Sequence, residues 1–343
     1  MTEAGVSLPA VPVSRGTVVA LAGSSAASRL VAASLVSSRC GVDQRPSPLP
    51  PGVGDAAASG AAPRTAGLAY LAEQARMGGA LRASRDPFDV AADWLNIGDC
   101  LSSSQRLQAL ARRALGTNDP RIYALAYLSC QDPAGKSLGG ECDRLSATHW
   151  SELDPGNGVP WLYVLSQAEA ANDESARAQA LARLATASRF EDRLHAVSGA
   201  IAREASASDD NLAADLDLAD RAFYDSVAGN ESFNALTNLC ENKAASAANR
   251  AQQCAAAGTL MVERGDNLLL QAIGSVVVMR ATGDPTLRDR GRAERLAMSK
   301  VASPTPGLSD CATVREGLQA MRRGAEAGEV EAARERLRNA GGG

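Results

Sequence analysis

Aromatic side chains make up only 3% of this 343-residue chain, and histidine occurs twice, at His149 and His195. The usual acid–base side chain is therefore nearly missing, which leaves little material for the commonest proton-transfer chemistry. An excess of positive charge is missing too. Thirty-five basic residues face 39 acidic ones, for a net charge of −4 and a pI near 5.4. That balance argues against a whole-chain nucleic-acid binder, which needs a basic footprint to displace phosphate counterions. No apolar run reaches the ~18 uninterrupted residues of a membrane-spanning helix, so a multi-span membrane protein is excluded. Lysine is confined to Lys136, Lys243 and Lys300, with arginine supplying the remaining basic residues. That bias is common in GC-rich bacterial genomes and carries no functional weight.

Metal-ligand spacings are also absent. No Cys-x₂₋₄-Cys or His-x₃₋₅-His occurs, and Cys130, Cys142 and His149 are too widely spaced for a compact site. The tripeptide Gly135-Lys136-Ser137 ends like a phosphate-binding loop, but Cys130 stands where that loop needs its first glycine. A helix, rather than a strand, is expected before it. The acidic run Asp209, Asp210, Asp215, Asp217 and Asp220 lacks the central glycine and final glutamate of a calcium loop. It reads instead as a helix start with acids facing solvent. The sequence thus nominates no catalytic, cofactor-binding or metal-binding residue, and no cofactor is expected.

What the chain does have is alanine, about a fifth of all residues, together with Leu, Arg, Gln and Glu. These are strong helix formers, while the strand formers are scarce. From Gly67 onward apolar residues recur at helical spacing: Leu107, Leu110, Ala111, Ala114; then Leu194, Val197, Ile201; then Cys311, Val314, Leu318, Met321. Asp86-Pro87, Asp119-Pro120 and Asp284-Pro285 each pair a side-chain cap with proline at the first helical position. About twelve helices are expected, joined by loops short enough to force antiparallel neighbours. Leu268–Met279 is apolar nearly all round and reads as a buried central helix. The mixed-charge run Arg315–Arg338 reads as a solvated terminal helix.

Residues 1–65 differ from the rest. Arg15 followed by Gly16–Ala27 loosely matches an export signal, although serines dilute its apolar part. Cys40 follows an apolar run as a lipoprotein acceptor would, but Arg39 occupies the place of a small residue. Pro46, Pro48, Pro50 and Pro51 then mark a linker, so residues 1–65 are expected to be largely disordered and 66–340 to form the helical domain.

One stretch carries a family resemblance. Leu153-Asp-Pro-Gly-Asn-Gly-Val-Pro-Trp161 opens a helix to about Ala171, Asn172-Asp173 breaks it, and Ser175–Ser188 forms a second. This resembles a tetratricopeptide repeat in its Asp154, Pro155 and Asn157 turn, in the aromatic Trp161, and in the inter-helix turn at Asn172-Asp173. Leu165 and Ala168 depart from the family pattern, which has a small residue and a tyrosine there. The resemblance implies an all-α fold, a right-handed α-solenoid of stacked antiparallel helix pairs. A compact irregular bundle of the same helices is the alternative. It further implies a non-enzymatic scaffold that binds a protein or peptide partner, with Trp94, Trp150 and Trp161 as candidate contact residues if exposed; the alternative is that Trp161 packs within its own repeat and Trp150 against the neighbouring one. An enzyme with a cryptic site and a purely structural envelope protein are the competing expectations.

Seven cysteines are many for such a chain. Cys130 and Cys142 flank the loop Gln131–Glu141, and Cys240 and Cys254 flank a helix junction. Each pair is placed to form a disulfide between adjacent helices, which suits the periplasm or cell envelope better than the cytoplasm. The alternative is four small buried thiols. Cys40, Cys100 and Cys311 have no assigned partner.

Overall fold

A computed structural model describes residues 62–96, 103–132, 135–205, 231–241, 248–286, 288–289, 291–292 and 311–341. The export-signal and linker segments, Cys40, Cys100 and the acidic run from Asp209 to Asp220 lie outside the described residues. Within them the chain is all-helical, with thirteen α-helices and no strand. In chain order these are α1 (Ala62–Ala83), α2 (Pro87–Asn96), α3 (Ser103–Leu115), α4 (Pro120–Ser129) and α5 (Ala147–Leu153). There follow α6 (Val159–Ala170), α7 (Glu174–Leu184), α8 (Leu194–Arg203), α9 (Glu231–Leu239) and α10 (Ala248–Arg264). Last come α11 (Leu268–Thr282), α12 (Cys311–Ala327) and α13 (Glu329–Gly341).

The helix starts follow from local chemistry. Asp86 accepts the Phe88 N–H at 3.0 Å and Asp119 accepts the Arg121 N–H at 2.9 Å, with proline next in both cases. Asp173 accepts the Ala176 N–H at 3.0 Å and starts α7, right after Asn172 turns the chain with φ at 54°. Asn267 caps α11 by accepting the Leu270 N–H at 2.8 Å. Each cap satisfies a donor that the helix itself cannot. The C-terminal charged run differs from its expected form. Gly328, with φ at 83°, divides it into α12 and α13, and each buries an apolar stripe: Val314 and Leu318, then Val330 and Ala333.

From α1 to α7 each helix packs on the next along the chain. Beyond that point the succession changes. The contacts of α8 are chiefly with α12, α2 and α1, while α9 lies on α6 and α11, and α10 on α7 and α11. One large core results, with Trp150, Tyr123, Tyr127, Phe190, Met77 and Leu81 among its largest enclosed side chains, beside a small cluster of Val330 and Ala333 with Leu268 and Leu337. The expected central helix α11 is buried on one face only: Leu270, Gly274, Val277, Val278 and Ala281 are enclosed, while Leu269 is 43% exposed, and α4 is the more fully enclosed helix.

Small residues do the packing where aromatics are few. At the α10–α11 crossing Gly258 and Gly274 face each other. A Cβ on Gly258 would lie 2.7 Å from the Gly274 carbonyl oxygen, and one on Gly274 would lie 2.6 Å from that of Gly258. Glycine inside a helix costs about 1 kcal/mol relative to alanine. Here that cost is offset by backbone-to-backbone approach, which places more dispersion contacts on both helices.

Candidate functional site

The four paired cysteines are where the sequence placed them. The sulfurs of Cys130 and Cys142 lie at bonding distance with Cα atoms 5.4 Å apart, and those of Cys240 and Cys254 likewise with 5.7 Å. The first pair ties the end of α4 to a short 3-10 helix at Gly140–Arg144. The second ties the end of α9 into α10. All four cysteines are buried.

The tryptophans divide. Trp150 is 0% exposed, enclosed by Tyr127 and Tyr163 with ring centroids at 5.7 and 5.9 Å. It is a core residue, and its candidacy as a partner contact is withdrawn. In a chain with so few aromatics, the largest ring goes where it buries the most area. Trp94 and Trp161 are half-buried at the edge of the core. The Arg183 guanidinium lies over the Trp161 ring, 5.6 Å from its centroid.

The Gly135-Lys136-Ser137 loop is no phosphate cradle. The Gly135 N–H donates to the Asp132 carbonyl at 2.9 Å and the Lys136 N–H to the Asp132 carboxylate at 2.8 Å. Two backbone donors of the loop are thus already taken, one of them by an acid. The same stretch, Gly135-Lys136-Ser137-Leu138-Gly139, has the spacing of a nucleophile elbow. That motif requires a strand-to-helix turn. Ser137 instead sits on an exposed loop after α4, and its hydroxyl accepts the Gly139 N–H at 3.2 Å. Both histidines face a glutamate: His149 meets Glu152 at 3.1 Å, and His195 meets Glu329 at 3.6 Å. Among the described residues no three Cys, His, Asp or Glu side chains converge as a metal ion would require, and no helix is long and apolar enough to cross a membrane.

The most organised polar region joins four interhelical turns: α5–α6, α7–α8, α10–α11 and α12–α13. Their backbones are hydrogen-bonded in series. Gly156 accepts the N–H groups of Ser188 and Arg189 at 3.0 and 3.2 Å, and the Gly158 N–H returns to the Arg189 carbonyl at 2.9 Å. The Phe190 N–H donates to Arg264 at 3.3 Å, the Asp266 N–H to Phe190 at 3.0 Å, and the Val330 N–H to Asp266 at 3.1 Å. Isolated bridges at Asn157–Arg189 and Phe190–Gly265 mark the same ladder.

Side chains lock it. Asn157, 0% exposed, donates to the Asp154 carboxylate at 3.0 Å and to the Glu191 carbonyl at 2.8 Å. Its oxygen accepts the N–H groups of Val159 at 3.1 Å and Glu191 at 3.0 Å. All four hydrogen-bonding positions of the amide are filled. Asp154 is enclosed by the guanidinium groups of Arg189 and Arg193, and Arg193 also reaches Glu191 at 3.0 Å. On the far side the Asn267 amide donates to both Asp192 and Asp266. The Glu329 carboxylate accepts the Leu268 N–H at 2.9 Å.

The ionisation of this region is uneven. Burial pushes the Asp266 carboxyl well above the ordinary carboxylate range. The charges of Asp192 and Glu191 push it the same way, against the opposing backbone N–H groups of Asp192 and Arg193. Burial also opposes ionisation of Glu329. There the His195 hydrogen bond and charge, with the Leu268 N–H, outweigh it and hold the carboxyl below its usual value. Of these turns only Asp154–Asn157 stands out in the sequence by itself. A signal was present in the repeated pairing of glycine with an acid or amide: Gly156-Asn157, Gly265-Asp266-Asn267 and Gly328-Glu329.

Comparison of the chain with protein-family models, with curated proteins and with solved structures gives no match.

Proposed function

We propose that this chain is a non-enzymatic helical-repeat scaffold, of the tetratricopeptide-like right-handed solenoid type, that binds a protein or peptide in the bacterial cell envelope. The observation carrying this reading is the turn ladder. Interhelical turns hydrogen-bonded side by side are what a repeat stack would present, because one helix pair cannot bury its apolar face alone. The Asp154–Asn157 turn that prompted the family resemblance is the first rung of that ladder. α8 packs on α1, α2 and α12, which ties early and late helices of the described chain together. Two cysteine pairs at bonding distance favour an oxidising compartment, hence the periplasm.

Trp161, with Arg183 over its ring, is the contact residue of choice, and Trp94 the second. Half-buried indoles offer a large apolar area at low entropic cost, and arginine at their edge adds a directional donor. The test compares capture from an envelope extract of the native organism by the wild-type chain, Trp161→Ala and the loop control Leu138→Ser. A partner retained by wild type and Leu138→Ser but lost by Trp161→Ala, with unchanged far-UV circular dichroism, supports the reading. Equal capture by all three overturns it.

A further inference from the structure

The loop between Cys130 and Cys142 stands out from the helical body. Gly135, Lys136, Ser137 and Leu138 are all exposed, and Leu138, at 49%, is one of two large apolar side chains left uncovered among the described residues. Gly135 and Gly139 turn the chain with φ at 72° and 87°, and a Cβ added at either would meet no atom within 4 Å. The outer side of the loop is therefore open to a large partner, which is what an exposed loop tip offers a protease. Lys136 has no ion-pair partner among the described residues. Comparable basic positions are closed. Arg144 is paired with Glu141 and followed by buried Leu145, and Arg189 is paired with Asp154 and followed by buried Phe190.

A folded chain is cut where it opens locally, so the restraints on the bond decide whether it is reached. Here they are confined to the loop. The Asp132 N–H donates to the Lys136 carbonyl at 2.8 Å, and the Lys136 N–H to the Asp132 carboxylate at 2.8 Å. The Leu138 N–H donates to the Cys130 carbonyl at 2.9 Å. Parting these bonds breaks no hydrogen bond within a helix. Both sides of the Lys136–Ser137 bond stay fastened once it is cut. On one side Cys130 ends α4, with its N–H on the Ala126 carbonyl at 2.9 Å. On the other, half-buried Gln108 of α3 donates to the Gly139 carbonyl at 2.9 Å and accepts the Glu141 N–H, and Cys142 meets Cys130.

We propose that Lys136–Ser137 is a processing site for an endopeptidase of the trypsin class, whose specificity pocket carries a carboxylate for a basic side chain. Water adds across the peptide bond, leaving a new carboxylate on Lys136 and a new amine on Ser137. The product is a two-chain protein joined through Cys130 and Cys142, with its helical body intact. Asp132 is the restraint that slows the cut. This site stands independently of the partner-binding reading.

A lysine-specific serine endopeptidase is the probe, because lysine occurs only at Lys136, Lys243 and Lys300. In the oxidised full-length chain carrying Lys243→Arg and Lys300→Arg, Lys136 is the sole target. Digestion under native conditions should produce a new N-terminus at Ser137, unchanged far-UV circular dichroism, and two fragments that separate only after reduction. The rate, corrected for the response of the enzyme on a free peptide, should stay within about twofold as urea rises below the unfolding transition, since local opening exposes little surface. Asp132→Ala should raise it by about threefold or more through loss of the bond to the Lys136 N–H. Resistance of the folded chain, a rate that climbs with urea as global unfolding does, or fragments that part without reductant overturns the proposal. So does a rate unmoved by Asp132→Ala.

Discussion

Replacing Asn157 by alanine is the sharpest test of the turn ladder, because this one buried side chain makes two hydrogen bonds within the α5–α6 turn and two to Glu191 of the α7–α8 loop. Each such bond contributes about 1 kcal/mol net, and a buried group left without its partner costs about 1–3 kcal/mol. Glu191 is partly exposed, so water can replace the amide at its backbone. The buried Val159 N–H has no such recourse, while the Asp154 carboxylate keeps Arg189 and Arg193 but loses a buried donor. The loss should come to about 3–4 kcal/mol, a large share of the 5–15 kcal/mol that is typical for folded proteins. Urea unfolding followed by circular dichroism should show a lower midpoint with an unchanged slope. Asn157→Asp makes the test more specific. It keeps both accepted hydrogen bonds but sets a carboxylate against Asp154, so its loss should be severe at neutral pH and shrink on acidification. A cost below about 1 kcal/mol for Asn157→Ala would refute the ladder as a source of stability. A pH-independent Asn157→Asp would refute its electrostatics.

Three further outcomes are expected. Non-reducing peptide mapping should recover Cys130 linked to Cys142 and Cys240 linked to Cys254. With separations of 12 and 14 residues, reducing either bond should cost about 3 kcal/mol in the chain-entropy description, and a combined shift under about 1 kcal/mol would contradict it. Gly258→Ala or Gly274→Ala should cost about 1–3 kcal/mol by forcing α10 and α11 apart, whereas tolerance of either would show that the close approach is not needed. The Arg121 hydrogen bond holds Asp86 below its ordinary value of 3.8, and holds Asp119 there despite its burial. Their contribution is therefore present above about pH 3.8 and lost as pH falls through the lower folded values. Arg121→Gln should accordingly blunt the acid-induced loss of stability, and an unchanged acid profile would count against this pairing.

Much of the fold was legible because its causes are local. Helical spacing at Leu107–Ala114 and at Val197–Ile201, with the Asp-Pro caps, depends only on residues a turn apart. The cysteine pairs were legible for the same reason, since each spans a single helix junction. The position of α8 was not, because its partners α12, α2 and α1 are set by long-range packing that no local spacing encodes. Trp150, which the sequence offered either as an exposed contact or as a packed residue, shows a related limit. A tryptophan near a helix end can face either way, and only its place between Tyr127 and Tyr163 decides that it points inward.

The turn junction is the most instructive case. Gly-Asn, Gly-Asp-Asn and Gly-Glu are each unremarkable helix-start chemistry when read alone, and each was explicable as a cap. Their shared role arises only once four turns lie side by side and the caps of one hairpin become acceptors for the next. The Asp192 and Asp266 carboxyls make the same point from energetics. Nothing in either local sequence brings the two acids together. Asp266 supplies the backbone rung joining three turns. A residue kept for its main-chain position brings its carboxyl with it, and there burial and the charges of Asp192 and Glu191 push that carboxyl above the ordinary range.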